Sequence, residues 1–264
     1  MITEFVGLPG SGKSTILKLL NKNNSNLKKN FTYIEFLFNN FYKKNYLNYY
    51  SKSLIYILSK FRNLIFLQDK KKNKFYQINI KFLFIRIFIF FVVKSFNKKD
   101  YFFYKSYKNL LGLSAHSQIR KKRMEIYFLL SYLGFYLFKK IKLSDTQIID
   151  DEGFYQKILI KYSDFALNKK KILHGVKKYL NFCPKLNNVL IIYNSRKKII
   201  LRVKKRNQGY AYVKEDINNN LLDWGKIMSY IISDIKKKKF NVVFFKNKNI
   251  QKLKDVQSIR FLNI

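Results

Sequence analysis

The sequence predicts an α/β protein: a parallel β-sheet core flanked by helices, with a large helical insertion. Three observations predict it. A short apolar run, Ile2 to Val6, leads into a glycine-rich stretch and then into a helical pattern. From about residue 146 onward, short β-branched runs alternate with longer amphipathic segments, the mark of strand–helix–strand units. Between these parts lies 39–143, dense in Phe, Tyr, Leu, Ile and Lys, with no proline and only Gly112 and Gly134. That stretch is too long for a loop. The expected organisation is one domain over 1–264 with the helical insertion at 39–143.

The first element is a strand over Ile2 to Val6, apolar apart from Thr3 and Glu4. Gly7-Leu8-Pro9-Gly10-Ser11-Gly12-Lys13-Ser14 then fits G-x-x-x-x-G-K-[ST] at every fixed position, the phosphate-binding P-loop pattern. Thr15 to Leu20 begins a helix with apolar residues at 16, 17, 19 and 20. The strand before and the helix after are the context the motif requires. Gly7, Gly10 and Gly12 let the backbone curl with its N–H groups pointing inward, and the helix N-terminus adds positive potential there. Lys13 reaches the β- and γ-phosphates, the Ser14 hydroxyl is placed for Mg²⁺, and Thr15 supports the α-phosphate side. The whole stretch Gly7, Leu8, Pro9, Gly10, Ser11, Gly12, Lys13, Ser14 and Thr15 is the expected ATP site.

Residues 21–30 read as a polar helix end and loop, and 31–38 as either a second strand or the start of a helix. Within the insertion the clearest helix runs from about 117 to 141, where Met124, Phe128, Leu129, Tyr132, Leu133, Tyr136 and Leu137 recur at helical spacing. The stretch 82–93 is the most apolar, but Arg86 splits it and it falls short of the ~20 residues a membrane span needs. A buried helix is expected there, or failing that one lying in a membrane interface. A strand follows near 146–150, a helical stretch over 153–181, and a strand over 187–194. A helix over 196–208 starts after Ser195 as N-cap and stops at Gly209. A further helix over 216–239 and a last strand over 240–245 complete the chain's core.

Phosphoryl chemistry on a P-loop needs a carboxylate at a neighbouring strand end, to hold Mg²⁺ or its waters or to take a proton. "IIDDEG" supplies Asp150, Asp151 and Glu152 in a chain with only 15 acids. Asp151 is the preferred metal-side carboxylate and Glu152 the acceptor- or water-side one. The register leaves Asp150 as the alternative to Asp151. Arg202 and Arg206 lie four apart on the expected helix 196–208, on one face. A guanidinium there can fork onto phosphate oxygens and offset charge that builds in phosphoryl transfer. His116 and His174 have no partners at metal spacing, Cys183 reads as structural, and Trp224 as packing.

Lys+Arg 54 against Asp+Glu 15 gives a net charge of +39. Part of it follows from a Lys-, Asn-, Ile-, Phe- and Tyr-rich composition. The rest favours anionic partners: nucleotides, phosphorylated sugars, an anionic glycan or an anionic membrane face. A dedicated nucleic-acid role is not expected, because no recognition module is present. A single cysteine excludes an internal disulfide framework and suits a reducing cytosol. With the phosphate loop at the N-terminus, no secretory signal and no transmembrane span are expected. The place is the cytoplasm, or the periphery of the inner membrane face.

"GLPGSGKST", the mid-chain strand-end acid and "LRVKKR" together resemble P-loop kinases of the nucleoside and nucleotide kinase type, including thymidylate kinase-like proteins. The resemblance implies a P-loop NTPase core, and a lid in which Arg202 lies against the adenine or α-phosphate and Arg206 reaches the transferred phosphate. "EFVGLPGSGKST" and "IIDDEGFYQ" resemble, more narrowly, small "DEG" P-loop proteins of bacterial surface-polysaccharide gene clusters. Asp-Glu-Gly stands where thymidylate kinases carry an Asp-Arg pair. The implied function is transfer of the γ-phosphate of ATP to a nucleotide, sugar or glycan intermediate with Mg²⁺, the acceptor being gripped by the helical insertion. Two alternatives stay open: an ATPase coupled to a protein partner in polysaccharide assembly, and a nucleotide-regulated binder of an anionic polymer.

Overall fold

The structure is a computed structural model. It describes residues 1–8, 10–17, 29–40, 89–90, 92–94, 96–114, 117–141, 146–162, 169–205 and 217–246. Two compact units partition the chain: one within Met1–Thr32, Asn109–Ala115 and Ser144–Ile264, the other within Tyr33–Lys108 and His116–Leu143.

The first unit is built on a five-stranded sheet. Its strands are β1 (Ile2–Val6), β2 (Lys29–Phe31), β3 (Thr146–Asp150), β4 (Asn188–Tyr193) and β5 (Asn241–Lys246). Their order is β2-β3-β1-β4-β5 and every pairing is parallel. The fold class is therefore the expected one. The central strands β1 and β3 are buried along their whole length, even at the polar residues Thr3, Glu4, Thr146, Gln147 and Asp150. The outer strands behave differently. β2 has only three residues and includes Lys29 and Asn30, so it begins inside the polar stretch expected to be loop. A short polar strand suits a sheet edge, and it leaves little hydropathy signal.

Helix α1, described over residues 13–17, follows β1. Side chains alternate across a strand. Phe5, Ile149, Leu190 and Ile192 point to the face that α1 covers, where Ile16 completes a buried cluster. Glu4 therefore points to the other face, as does its register partner Asp150. That face receives α5 (Phe154–Tyr162), whose first amides bond to Glu4. The expected 153–181 helix is two, α5 and α6 (Lys169–Phe182). Helix α7 (Arg196–Lys205) starts on the Ser195 cap, whose Oγ accepts from Lys198 N at 3.5 Å. Helix α8 (Ile217–Lys237) ends with Lys239 at φ 55, and the Phe240 N–H returns to the Ile235 carbonyl at 3.4 Å. That is a left-handed helix stop.

A half-buried polar knot ties α5, α6 and α8. The Tyr155 hydroxyl donates to Asp234 at 2.9 Å, and Lys238 Nζ sits 2.7 Å from the same carboxylate. Lys238 also donates to the carbonyls of Leu180 (2.6 Å) and Cys183 (3.1 Å). The Cys183 thiol is buried, and burial pushes its pKa well up, so it is inert. Trp224 is fully buried. Both accord with the packing roles expected of them.

The described residues of the second unit are mainly helical: α2 (Tyr33–Asn40), α4 (Gln118–Ile141) and most of α3 (Lys98–Gly112). The stretch 31–38 thus divides, Phe31 ending β2 and Tyr33 opening α2. The expected helix at 117–141 is α4. Aromatic rings make the packing: Tyr33 meets Phe135 edge-on at 5.9 Å, Phe36 meets Phe138 at 5.0 Å, and Tyr107 stacks on Phe128 at 4.0 Å. Tyrosine hydroxyls donate to acids, Tyr104 to the buried Glu125 and Tyr132 to the half-buried Asp100. Most of 82–93 lies outside the described residues; 89–90 and 92–93 within it are helical. No helix among the described residues is long and apolar enough to cross a membrane.

Helices α2 and α4 cross at Gly134, where an added Cβ would stand 2.0 Å from the Tyr33 carbonyl oxygen. Backbone cannot yield there. Gly134→Ala is expected to destabilise by about 1–3 kcal/mol, read as a lower denaturation midpoint. At Gly225, inside α8, nothing lies within 4 Å of an added Cβ, so Gly225→Ala should stabilise by about 0.5–1 kcal/mol, read as a higher midpoint. Equal midpoints for the two variants would contradict this packing.

Candidate active site

The site belongs to the first unit, at the carboxyl ends of β1 and β3. The loop after β1 is held open by contacts that glycine permits. An added Cβ on Gly7 would lie 2.3 Å from the Ile192 carbonyl oxygen of β4. Gly10 and Gly12 have φ of 82 and 101, a left-handed backbone that side chains disfavour. The Ser11 N–H bonds to the Leu8 carbonyl at 3.0 Å, and the Thr15 N–H to the Gly12 carbonyl at 3.2 Å. Lys13 folds across the loop, its ammonium donating to the carbonyls of Gly7 (2.8 Å) and Leu8 (3.4 Å). Ser14 and Thr15 are exposed at the start of α1. Pro9 lies outside the described residues.

The acid turn after β3 meets this loop. The Ser14 hydroxyl donates to Asp151 Oδ2 at 2.8 Å. Asp150 is buried and bonds instead within the turn, its Oδ1 accepting the Glu152 N–H at 2.8 Å. The pleat divides the two acids. Asp150 shares a register position with Glu4 inside the sheet, while Asp151, the first residue beyond the strand, reaches the loop. Glu152 is exposed at the rim, with Lys157 Nζ bonded to its backbone carbonyl. Its carboxyl pKa is raised. Desolvation by the surrounding protein is the largest cause, the Lys157 ammonium opposes it, Asp151 and Asp150 add to it, and Lys13 opposes it.

Arg202, on α7, reaches the other side of the loop. Its Nη1 donates to the carbonyls of Gly10 (3.2 Å) and Ser11 (3.5 Å). Helix α7 lies close at Gly10, where an added Cβ would be 3.2 Å from the Ile199 carbonyl oxygen. Arg206 lies outside the described residues. The structure thus brings together Gly7, Leu8, Gly10, Ser11, Gly12, Lys13, Ser14, Thr15, Asp151, Glu152 and Arg202. A hydroxyl beside a carboxylate is a hard-oxygen pair, and Mg²⁺ is commonly held by one or two such groups together with waters and phosphate oxygens. Ser14 and Asp151 fit that ion. No group of three or more His, Cys, Asp or Glu poised for a metal exists among the described residues.

Three residues of the site were missed from the sequence. The Glu4 carboxylate accepts the N–H groups of Phe154 (2.9 Å) and Tyr155 (3.0 Å). Gly153 packs on it, and Gln156 Oε1 accepts the Gly7 N–H at 2.9 Å. The available signal was an acid inside an otherwise apolar strand.

No protein-family description matches the sequence, and none of the curated proteins compared with it does. Among solved structures, a deoxyadenosine kinase from M. mycoides with bound dATP is similar over 100% of both chains, at 15% identity and a TM-score of 0.46. The deoxyadenosine kinase from M. mycoides with products dCMP and a flexible dCDP bound is similar over 100% of this chain and 98% of that one, at 15% identity and a TM-score of 0.39. Similarity at this level transfers no substrate.

The raised Glu152 pKa has a definite sign. The folded state holds this proton more tightly than the unfolded chain, so this group's contribution to stability falls as pH rises from the ordinary carboxylate value, ~4.3, through the folded pKa. A carbon-detected titration of the Glu152 carboxyl should give a midpoint above ordinary glutamate, and Glu152→Gln should remove that part of the stability slope. A midpoint at or below the ordinary value would contradict the desolvation.

Proposed function

We propose that the chain is a phosphotransferase that moves the γ-phosphate of ATP to a small acceptor with Mg²⁺. The observation that carries this reading is the 2.8 Å bond between Ser14 and Asp151, which couples the phosphate loop to a strand-end acid. Loop amides and Lys13 would hold the β- and γ-phosphates, Thr15 the α-phosphate side. Ser14 and Asp151 would hold Mg²⁺, which when bound offsets phosphate charge. Arg202 would lie against the adenine or α-phosphate, and Arg206 would reach the transferred phosphate. An acceptor oxygen attacks the γ-phosphorus, its bond to the β–γ bridging oxygen breaks, ADP leaves, and the acceptor's proton passes to the Glu152 carboxylate. Catalysis on this plan is positioning and charge neutralisation.

The acceptor class is a nucleotide, a sugar or a glycan intermediate. We keep 39–143 as an insertion in one P-loop domain, and the resemblance to "DEG" proteins as the reason to test glycan intermediates first. ATP as substrate suits a cytoplasmic place. A second reading is supported by the electrostatic coupling of the Glu152 carboxyl to Lys13 of the phosphate loop: a carboxylate there could activate water, giving an ATPase coupled to a protein partner. The net charge of +39 suits an anionic polymer as a further ligand.

The test is ATP turnover with Mg²⁺, with and without pools of nucleosides, nucleotides, sugars and glycan intermediates. The phosphotransferase reading expects turnover that needs one pool. It also expects a fall of about 10²-fold or more in Lys13→Ala and in Asp151→Asn. Turnover that ignores every pool would instead select the ATPase. Arg202→Lys should restore less than half of what Arg202→Ala loses, because a single ammonium cannot bridge two carbonyls and a phosphate. Full rescue by lysine would show that Arg202 supplies charge alone.

A further inference from the structure

Glu4 stands outside the phosphate loop and the acid turn, yet it touches the element that carries each. It is fully buried on β1, three residues before Gly7. Its two carboxylate oxygens take one amide each, Oε1 from Phe154 and Oε2 from Tyr155. These are the first amides of α5, which no intrahelical carbonyl can satisfy. A helix start is ordinarily capped by a side chain just before it. Here the residue just before it is Gly153, and an added Cβ there would stand 2.2 Å from Glu4 Cδ. Helix α5 is therefore capped from β1, about 150 residues away in sequence. The contact is then closed at its other end, since Gln156 from the same helical turn accepts the Gly7 N–H.

We propose that Glu4, with Gln156, is a positioning residue that fixes the acid turn against the phosphate loop, so that Asp151 stays on Ser14. This rests on the ATP–Mg²⁺ reading above. The segment from Glu4 to Gly7 and the segment from Phe154 to Gln156 are bolted at both ends, and residues 14 and 151 extend from the two halves of that bolt. A carboxylate is required because both of its ends must accept. Glutamine would turn an NH₂ toward one of the two N–H groups, and aspartate is one methylene short.

The experiment uses the full chain and measures ATP binding by calorimetry, with and without Mg²⁺. In the wild type, Mg²⁺ should raise the affinity. In Glu4→Gln, metal-free ATP affinity should stay within about twofold while the Mg²⁺ increment drops by about 10-fold or more, the usual scale for losing a group that orients a metal ligand. Gln156→Ala should show the same selective loss, and it decides the matter if Glu4→Gln does not fold. An unchanged Mg²⁺ increment overturns the assignment. So does an equal fall in both affinities, which a merely structural role would give. A wild type that binds no ATP overturns the phosphotransferase reading, and this proposal with it; a wild type that binds it with variants that match overturns only the role of Glu4 and Gln156.

Discussion

A single buried carboxylate organises the first unit. Glu4 has no exposed surface and sits in the middle of a parallel sheet, where an ion would be costly without hydrogen bonds. The first two amides of α5 make it tolerable, and bonds of this kind contribute about 1.5–3 kcal/mol each. Everything around it follows. Gly153 must lack a side chain, Asp150 must turn inward to close the bend, and Asp151 is left as the acid that faces Ser14. Tyr155, one of the two amide donors, carries the constraint on to Asp234 and Lys238 through its hydroxyl.

The same economy explains an odd composition. The chain has only 15 acids, and many of those described do specific internal work. Glu4 and Asp150 shape the turn, Asp234 anchors the α8 end, and Glu125 and Asp100 accept tyrosine hydroxyls in the second unit. Lysines meanwhile lie exposed along α6, as Lys177 and Lys178 do. Exposed lysines of this kind contribute to the surface potential rather than to the packing of the fold. Among the described residues, Phe and Tyr likewise pack ring to ring between helices, as in Tyr33–Phe135 and Tyr107–Phe128.

What could be read from the sequence was local. The phosphate loop is a contiguous pattern, β4 is a β-branched run, Ser195 is a cap, and α4 repeats its apolar residues over several turns. What could not be read was set at long range. β2 owes its existence to pairing with β3 and carries polar residues at a sheet edge. The sequence between α5 and α6, 163–168, holds no proline or glycine to mark one helix from two. The choice between Asp150 and Asp151 depends on sheet register, since Glu4 opposite Asp150 fixes which acid faces inward. The partners of Glu4 lie about 150 residues away, so no local window contains them.

The most direct measurement is native-state amide hydrogen exchange at Gly7, Phe154 and Tyr155. These three N–H groups form the proposed bolt between β1 and α5. If the buried carboxylate and Gln156 hold it, all three should exchange only through openings as rare as those that expose the amides of β1 and β3. Exchange at Phe154 and Tyr155 as fast as at an ordinary exposed helix start, with β1 still protected, would contradict the account.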